Sequence, residues 1–396
     1  MWRGRGGRRE RASDRSTGDL CGIVVDRDAV SGLLTGSVSR VSNDCEGVHV
    51  GKKTGFAAVI IGAFLLVLAV LAKTYAYDEL AVVPLDQETT TVSKTMPGED
   101  ATYLNVAAEG GPAIETGPLE SRRNVVGQVE ASKDASDELD ENIAVWETFS
   151  YTAPPGTPAD QALSGTRDVV PFERTTGDTV RWQGAETESN GVVISPFSFY
   201  GNYFKFPFNT QKESVDFWDD SLGKGVPAEY EGTEKIEGLE VYKFVQTVEP
   251  TKIAEQPVPG SLVGMPDQAT VVADRMYANV RTLWVEPETG VIIKGQEEQL
   301  ATLDVDGEPK ATITEATLGY DDETVKATVD EYKTKAMLLG MIRTTIPVVG
   351  GILGGLLVLG GAVLLLRSRK GGDGDGDAQD APSDEGSPAE ATPAKA

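Results

Sequence analysis

Two uncharged stretches of sequence decide the fold: GFAAVIIGAFLLVLAVLA at residues 55–72 and TIPVVGGILGGLLVLGGAVLLL at residues 345–366. As α-helices they would be about 27 and 33 Å long, and the hydrocarbon core of a bilayer is roughly 30 Å thick. Lys52 and Lys53 precede the first stretch, and Arg367 follows the second. Because basic residues favour the cytoplasmic side, the pattern predicts a two-pass plasma-membrane protein with both termini cytoplasmic and a large extracellular domain.

The region between the spans is strongly acidic. Residues 73–343 hold 22 Lys and Arg against 48 Asp and Glu, which equals the net charge of −26 of the whole chain. Such a field repels the phosphates of nucleic acids and attracts cations and basic partners. The composition therefore excludes nucleic acid as a partner, and a solubilising surface is the simplest reason for the charge.

Cysteine and histidine are confined to the start of the chain. Cys21, Cys45 and His49 all precede the first span. The outer region therefore has no Ser-His-Asp triad, no thiolate nucleophile and no zinc site built from His or Cys. It also lacks a Walker loop, a G-x-S-x-G motif and EF-hand spacing. We expect a protein that is not an enzyme, with no cofactor and no metal site.

The two ends of the chain differ in charge but both lack core-forming residues. Residues 1–53 are basic and rich in Gly and Ser, and residues 367–396 are acidic and rich in Gly, Ala and Pro. Both compositions are typical of disordered cytoplasmic segments. Since residues 51–72 already form a complete signal anchor, we also expect the natural start to lie near Val48 to Gly51, which would make the basic segment a start-site artefact.

The outer region, residues 74–320, is predicted to be mainly β. Period-two and β-branched runs occur at residues 143–151, 241–248 and 280–285, and Asp306-Gly307 predicts a tight hairpin. From residue 321 to 344 the apolar spacing becomes helical, with Asp321 as a capping residue and Pro347 expected to kink or end the helix. The predicted fold class is therefore a membrane-anchored, mainly β (β-rich α+β) ectodomain flanked by two transmembrane helices, at residues 54–73 and 345–366.

Small residues within the spans offer faces for close helix packing. Glycines at four-residue spacing are the signal for such packing, although glycine is also common in membrane helices that pair with nothing. The sequence leaves open whether the spans pair within one chain or between chains. The candidate packing residues are Ala58, Gly62, Gly350, Gly351, Gly354 and Gly355.

An aromatic cluster at residues 197–218 is the one candidate ligand site. Nine of the chain's 27 aromatic residues lie within these 22 positions. A packed core strand, with Phe204, Phe206 and Phe208 on one face, is the favoured interpretation, and Pro207 would place that strand at a sheet edge or bulge. The alternative is an apolar groove for lipid. The candidate binding residues are Phe197, Phe199, Tyr200, Tyr203, Phe204, Phe206 and Phe208.

Three motifs resemble one known family. They are YFKFPFNTQKESVDFWDD (residues 203–220), VPAEYEGTEKIEGLEVYKF (residues 226–244) and LWVEPETGVIIKG (residues 283–295). Together they are similar to the actinobacterial PorA family, whose members are called porins, over roughly residues 52–369. The resemblance implies an actinobacterial cell-envelope protein and brings no catalytic residues with it.

Three functions fit these features. The first is a non-catalytic binding or scaffolding domain at the membrane surface, with the lipid bilayer and another envelope protein as partners. The second is a carrier of apolar envelope lipid, which needs a groove near residues 197–218. The third is an oligomeric pore, which needs several copies of two helices that lack any charged or amide side chain.

Overall fold

The computed structural model describes residues 52–189 and 191–370, so the predictions for the two terminal segments lie outside the described residues. Helix α1 (Lys52–Leu71) continues through a π-helical turn (Ala72–Ala76) into the short α2 (Tyr77–Leu80). Helix α3 (Val129–Leu139) lies within the β-rich region. At the other end α4 (Asp322–Gly340) continues through a second π-helical turn (Met341–Thr345) into α5 (Ile346–Lys370).

Between these helices the chain forms one antiparallel sheet of 14 strands. The strands are β1 (Glu88–Thr95), β2 (Ala101–Asn105), β3 (Ala113–Gly117), β4 (Glu120–Gly127), β5 (Ile143–Ala153), β6 (Ser164–Glu173), β7 (Glu186–Ser189), β8 (Val192–Ile194), β9 (Val215–Asp219), β10 (Lys224–Ile236), β11 (Leu239–Val258), β12 (Val271–Val285), β13 (Ile292–Val305) and β14 (Glu308–Tyr320). Their order is β8-β7-β6-β5-β4-β1-β14-β13-β12-β11-β10-β9, with β2 and β3 added beside β14. The first strand β1 therefore closes the middle of the sheet by pairing with both β4 and β14. The predicted β-rich architecture is confirmed.

Tight turns fix the register of the long hairpins. Asp306 and Gly307 take φ of 55° and 79° between β13 and β14, which confirms the predicted hairpin. Glu237 and Gly238, at φ of 50° and 80°, make the equivalent turn between β10 and β11. Two consecutive left-handed residues are what a type I′ turn requires, and that turn matches the twist of the paired strands.

Helix α4 begins where its capping residue predicts. The Asp321 side chain accepts a hydrogen bond from the backbone N–H of Thr324 at 2.9 Å. The apolar face of the helix packs against β11, β12 and β13, with Val329 buried beside Val241 and Trp284. Pro347 was expected to kink or end the helix, and the helix does not end there, since α5 runs through it. A π-helical turn (Met341–Thr345) precedes the proline. Its backbone hydrogen bonds follow the i to i+5 pattern, so the regular α-helical pattern is already interrupted where proline lacks an N–H donor.

The strand predicted around Phe206 is wrong, although Phe206 itself is buried as the core interpretation expected. Residues 195–214 contain no strand, because Gly201 lies at φ of 75° and Pro196 and Pro207 cannot donate to a ladder. The segment is instead held by scattered backbone hydrogen bonds, which include bonds to two turns. Phe206 N–H donates to Gly290 O at 2.8 Å, and Phe208 N–H donates to Thr175 O at 3.1 Å.

This irregular segment separates two parts of the core. Phe206 is fully buried against Phe244, with ring centroids 4.6 Å apart, in the cluster between β9 and β13. Phe204 and Phe208 pack instead on the cluster of Trp146 and Phe172 from β5 and β6. The three phenylalanines therefore do not share one face.

Candidate functional site

A cavity of about 440 Å³ lies between the middle of the sheet and helix α4. The register of the sheet determines which polar and apolar side chains line the cavity. Thr89 of β1 is opposite Val125 of β4, and Thr91 is opposite Arg123, so these four side chains share one face. Trp146 of β5 extends the wall on one side and Tyr320 of β14 extends it on the other.

Helix α4 forms the opposite wall. Its cavity-lining residues follow helical spacing and continue into the π-helical turn: Thr328, Glu331, Tyr332, Lys335, Leu338, Leu339 and Ile342. The irregular segment supplies Phe204, Lys205 and Phe208. The site therefore unites residues that are far apart in the sequence, and each wall is held by a different element.

The cavity has an exposed end and a buried end. Leu80 and Leu338 are 56% and 50% exposed and belong to the segments that lead into the two apolar helices. Val83, Trp146 and Lys205 are buried. We call the part of the lining at Leu80 and Leu338, in the segments next to the two apolar helices, the exposed end of the cavity, and the buried part at Lys205 its floor.

Lys205 is a buried, strongly perturbed group in the cavity lining. Its side chain is 4% exposed, and Nζ lies 3.8 Å from the centre of the Phe208 ring without a hydrogen bond to any described residue. Burial lowers the pKa of Lys205 to about 7, although the charges of Glu173 and Glu286 partly oppose the change. A buried amine without a polar partner is costly, and it marks a functional-site candidate.

An ion pair between Arg343 and Glu288, which we call the clamp, lies near the exposed end of the cavity. Arg343, in the π-helical turn after α4, donates from Nε to Glu288 Oε2 at 2.9 Å and makes a second bond through its other guanidinium nitrogen. Glu288 lies in the turn that also binds Phe206 through Gly290. The clamp therefore ties the end of α4 to the irregular segment, and it has the bidentate geometry of a strong Arg–carboxylate pair.

The seven aromatic residues of the predicted ligand site fall into separate groups. Phe204 and Phe208 line the cavity, whereas Phe206 is directed into the core. Tyr200 is largely exposed beside Arg181. The other three pack around Trp218: Phe197, Phe199 and Tyr203.

Sequence reasoning missed Lys205, Arg123 and the contribution of α4. The sequence feature that could have pointed to a buried Lys205 is its place as a single lysine between Phe204 and Phe206 in an aromatic run. Arg123 gave no signal, because its place in the cavity depends on the pairing of β4 with β1. No group of His, Cys, Asp and Glu residues able to hold a metal ion occurs within residues 52–189 and 191–370.

The two long apolar helices pack against each other within the chain, with glycine at each crossing point. A Cβ on Gly62 would lie 2.7 Å from Gly354 O, and a Cβ on Gly361 would lie 2.7 Å from Gly55 O. Such distances show that the backbones touch. The contacts recur every seven residues, unlike the four-residue spacing of the predicted packing motif.

The six candidate packing residues lie at different depths in this contact. Gly62 and Gly354 form its centre, and a Cβ on Gly350 would lie 3.3 Å from Ala69 Cβ. A Cβ on Gly351 or Gly355 would meet no described atom within 4 Å, and Ala58 is half-buried. The segments Lys53–Leu80 and Asp322–Arg367 are both long and apolar enough to cross a membrane by length and composition.

Comparison with known proteins agrees with the resemblance noted in the sequence. The sequence profile of the family described as Porin PorA matches residues 54–363. A protein named Porin PorA from Corynebacterium resistens is 27% identical over 79% of this chain and 96% of its own length. Another of that name from Corynebacterium amycolatum is 26% identical over 62% of this chain and 77% of its own length. The matched region includes the whole sheet and most of both apolar helices, and the chain therefore belongs to the Porin PorA family.

Proposed function

We propose that this protein is a non-catalytic membrane protein of the cell envelope whose β-rich domain binds an apolar ligand, such as an envelope lipid, in the cavity beside α4. Helices α1 and α5 anchor the domain in the plasma membrane, with both chain termini in the cytoplasm. The cavity carries the proposal, because its volume lies within the roughly 300–1,000 Å³ of ligand pockets and its exposed end adjoins the two apolar helices.

The position of the cavity suits exchange with a bilayer. Leu80 follows α1 and its π-helical turn, and Leu338 precedes the turn that leads into α5. If these helices span the membrane, the exposed end of the cavity lies close to the outer interface. A lipid could then enter without crossing the strongly acidic outer surface of the domain.

Trp146 provides a direct test, because it lines the cavity. The full chain in nonionic detergent micelles is titrated with methyl 9,10-dibromostearate, a neutral chain whose bromines quench tryptophan at short range. The fluorescence of Trp146 is the difference between the unmodified chain and the Trp146→Phe variant, and we expect the ligand to quench this part of the signal. If only the remaining tryptophans are quenched, the cavity does not take apolar chains and the proposed ligand site is wrong.

The orientation is tested separately. Cys21 and Cys45 are replaced, and single cysteines are placed at Asp160 and Ser387. On intact cells an impermeant maleimide should label the cysteine at position 160 and leave that at position 387 unlabelled. The reverse pattern would place the β-rich domain in the cytoplasm.

A second candidate function is an oligomeric pore, favoured by the name of the two relatives. The purified chain in a planar bilayer would then show discrete conductance steps. The apolar residues of both helices make a polar lining from these segments difficult. Conductance steps that are lost with Gly354→Val and kept with Gly355→Val would favour the pore. The absence of conductance, together with quenching of Trp146 fluorescence, would favour the binding domain.

If neither ligand binding nor conductance is found, the domain would act as a scaffold. Its acidic surface then needs only a basic or complementary envelope protein as its partner.

A further inference from the structure

The floor of the cavity holds an amine, that of Lys205, which makes no hydrogen bond to any described residue. The two acidic residues whose charges act on Lys205, Glu173 and Glu286, are engaged in the turns to which they belong. Glu173 accepts from the backbone N–H groups of Thr175 and Thr176, and Glu286 accepts from the backbone and hydroxyl of Thr289. Their carboxylates therefore cap turns rather than bind Lys205.

A second basic residue lines the same cavity. Arg123 donates from Nε to Thr148 Oγ1 at 3.1 Å, and its guanidinium lies 5.0 Å from the ring centre of Tyr203 and 5.4 Å from that of Phe204. No described carboxylate forms an ion pair with it. Since one Nε–H is used and the terminal nitrogens are not, Arg123 keeps donors for a further acceptor.

The acidic and basic charges at the exposed end of the cavity cancel. Glu331 is the acidic residue in the cavity lining, and its carboxylate pairs with Lys335 of the same helix at 2.8 Å. The remaining ionisable lining residues apart from tyrosine are Lys205 and Arg123, both basic. The lining of the interior is thus basic within a chain whose net charge is −26.

We propose, as a refinement that rests on the proposed function, that the cavity takes an anionic amphiphile whose carboxylate or phosphate binds Lys205 and Arg123. The acidic group lies at the floor and the apolar chain extends along Val83, Val125 and Trp146 towards Leu338. Charge complementarity supports this occupant, because a buried cation is stabilised by an anion that brings hydrogen-bond acceptors with it. The apolar walls require the chain, since a small free anion would leave them unfilled.

The arrangement also gives a role to the buried amine of Lys205, which has no hydrogen-bond partner among the described residues. A buried charge without a partner destabilises a fold, and natural chains keep such groups where function requires them. The acidic exterior repels anions, so it discriminates against soluble ones, whereas an amphiphile already dissolved in the membrane reaches the cavity from its apolar side.

The test compares two ligands that differ only in charge. The full chain in nonionic micelles is titrated at pH 7.5 with 9,10-dibromostearic acid or its methyl ester, and the Trp146-dependent quenching is measured. We expect the acid to reach half quenching at a mole fraction about tenfold or more below that of the ester, the effect of a charge-assisted hydrogen bond. Lys205→Met should reduce this preference by most of its size, with the donors of Arg123 accounting for what remains, and its ester titration should stay within about twofold of that of the unmodified chain.

Lys212→Met is the matched control, because Lys212 is an exposed lysine that also lies over aromatic rings, outside the cavity. It should keep the preference for the acid. Equal quenching by acid and ester in the unmodified chain would overturn the inference and leave the proposed function standing. Quenching by neither would overturn the proposed function itself. Displacement of the acid by an equal concentration of inorganic phosphate would show a free-anion site and would overturn the amphiphile.

Discussion

Replacing Lys205 by Met should stabilise the ligand-free protein. Met keeps the length of the side chain and its contact with Phe208, and it removes an amine that is buried without a hydrogen bond. Most substitutions of a fully buried residue destabilise a protein, so the expected sign is unusual. A gain of stability would identify Lys205 as a residue kept for binding.

The magnitude follows from the pKa of Lys205. Burial lowers it from 10.5 to about 7. One pKa unit corresponds to about 1.4 kcal/mol, so the charged amine costs about 5 kcal/mol in the folded state at pH 6. The cation–π contact with Phe208 offsets up to about 2 kcal/mol. The net stabilisation by Lys205→Met should therefore be about 3 kcal/mol at pH 6.

The same pKa fixes the dependence on pH. Between about 7 and 10.5 the unfolded chain binds a proton at Lys205 and the folded chain does not, so the stability of the unmodified protein rises with pH across this window. Below pH 7 both states are protonated and the cost is constant. The advantage of Lys205→Met should be greatest at pH 7 and below, and it should disappear as the pH approaches 10.5.

Guanidinium unfolding of the delipidated full chain in nonionic micelles, followed by tryptophan fluorescence at pH 6 and pH 9.5, measures both effects. Lys212→Met should change the free energy of unfolding by less than about 0.5 kcal/mol, as is usual for an exposed residue. A loss of more than about 1 kcal/mol with Lys205→Met at pH 6, or an advantage that does not depend on pH, would show that the amine has a partner in the folded protein and would refute the reasoning.

Two further changes test the packing. Phe206→Ala should lower the free energy of unfolding by roughly 3–5 kcal/mol, because Phe206 is fully buried, and Phe149→Ala, at a side chain 40% exposed, should cost much less in the same assay. Cysteines replacing Ala69 and Gly350 in a chain without its native cysteines should form an intramolecular disulfide, because their Cβ atoms are placed about as close as a disulfide requires. Adding Gly354→Val should reduce the cross-link on a non-reducing gel, whereas adding Gly355→Val, which meets open space, should leave it unchanged.

Local patterns in the sequence predicted much of the fold. The hairpin at Asp306-Gly307 and the start of α4 at Asp321 depend on residues within a few positions, and both are found in the structure. The two apolar helices follow from composition over about 20 residues. These features are local because turn chemistry, capping and hydropathy act within one element.

The cavity could not be predicted in the same way. Its walls come from β1, β4 and β5 near the start of the sheet, from β13 and β14 near its end, and from α4. The alternation of Phe204, Phe206 and Phe208 suggested one face of a strand, but the backbone bonds of residues 206 and 208 go to two different turns. Tertiary contacts therefore overrode the period-two pattern, and the burial of Lys205 followed from them.

In the packing of α1 against α5, too, one part follows from local sequence and another depends on tertiary contacts. Glycine content correctly indicated that the helices can approach closely, but which glycines touch depends on the relative rotation of α1 and α5. Gly62 meets Gly354 and Gly55 meets Gly361, so the partner of each residue lies about 300 positions away. Spacing within one helix cannot determine this registry.

The continuity of α4 with α5 has a mechanical consequence. Residues Asp322–Arg367 form a helical rod of 46 residues, about 70 Å long at about 1.5 Å per residue. One end of this rod is a wall of the cavity and the other end is the second apolar helix, with the Arg343–Glu288 clamp as a fulcrum between them. If α5 spans the membrane as proposed, a tilt of a few degrees at the apolar end, such as a change in bilayer thickness imposes on a long helix, would move the wall about this fulcrum and change the width of the cavity. The thickness of the membrane would then influence which ligands fit the proposed site.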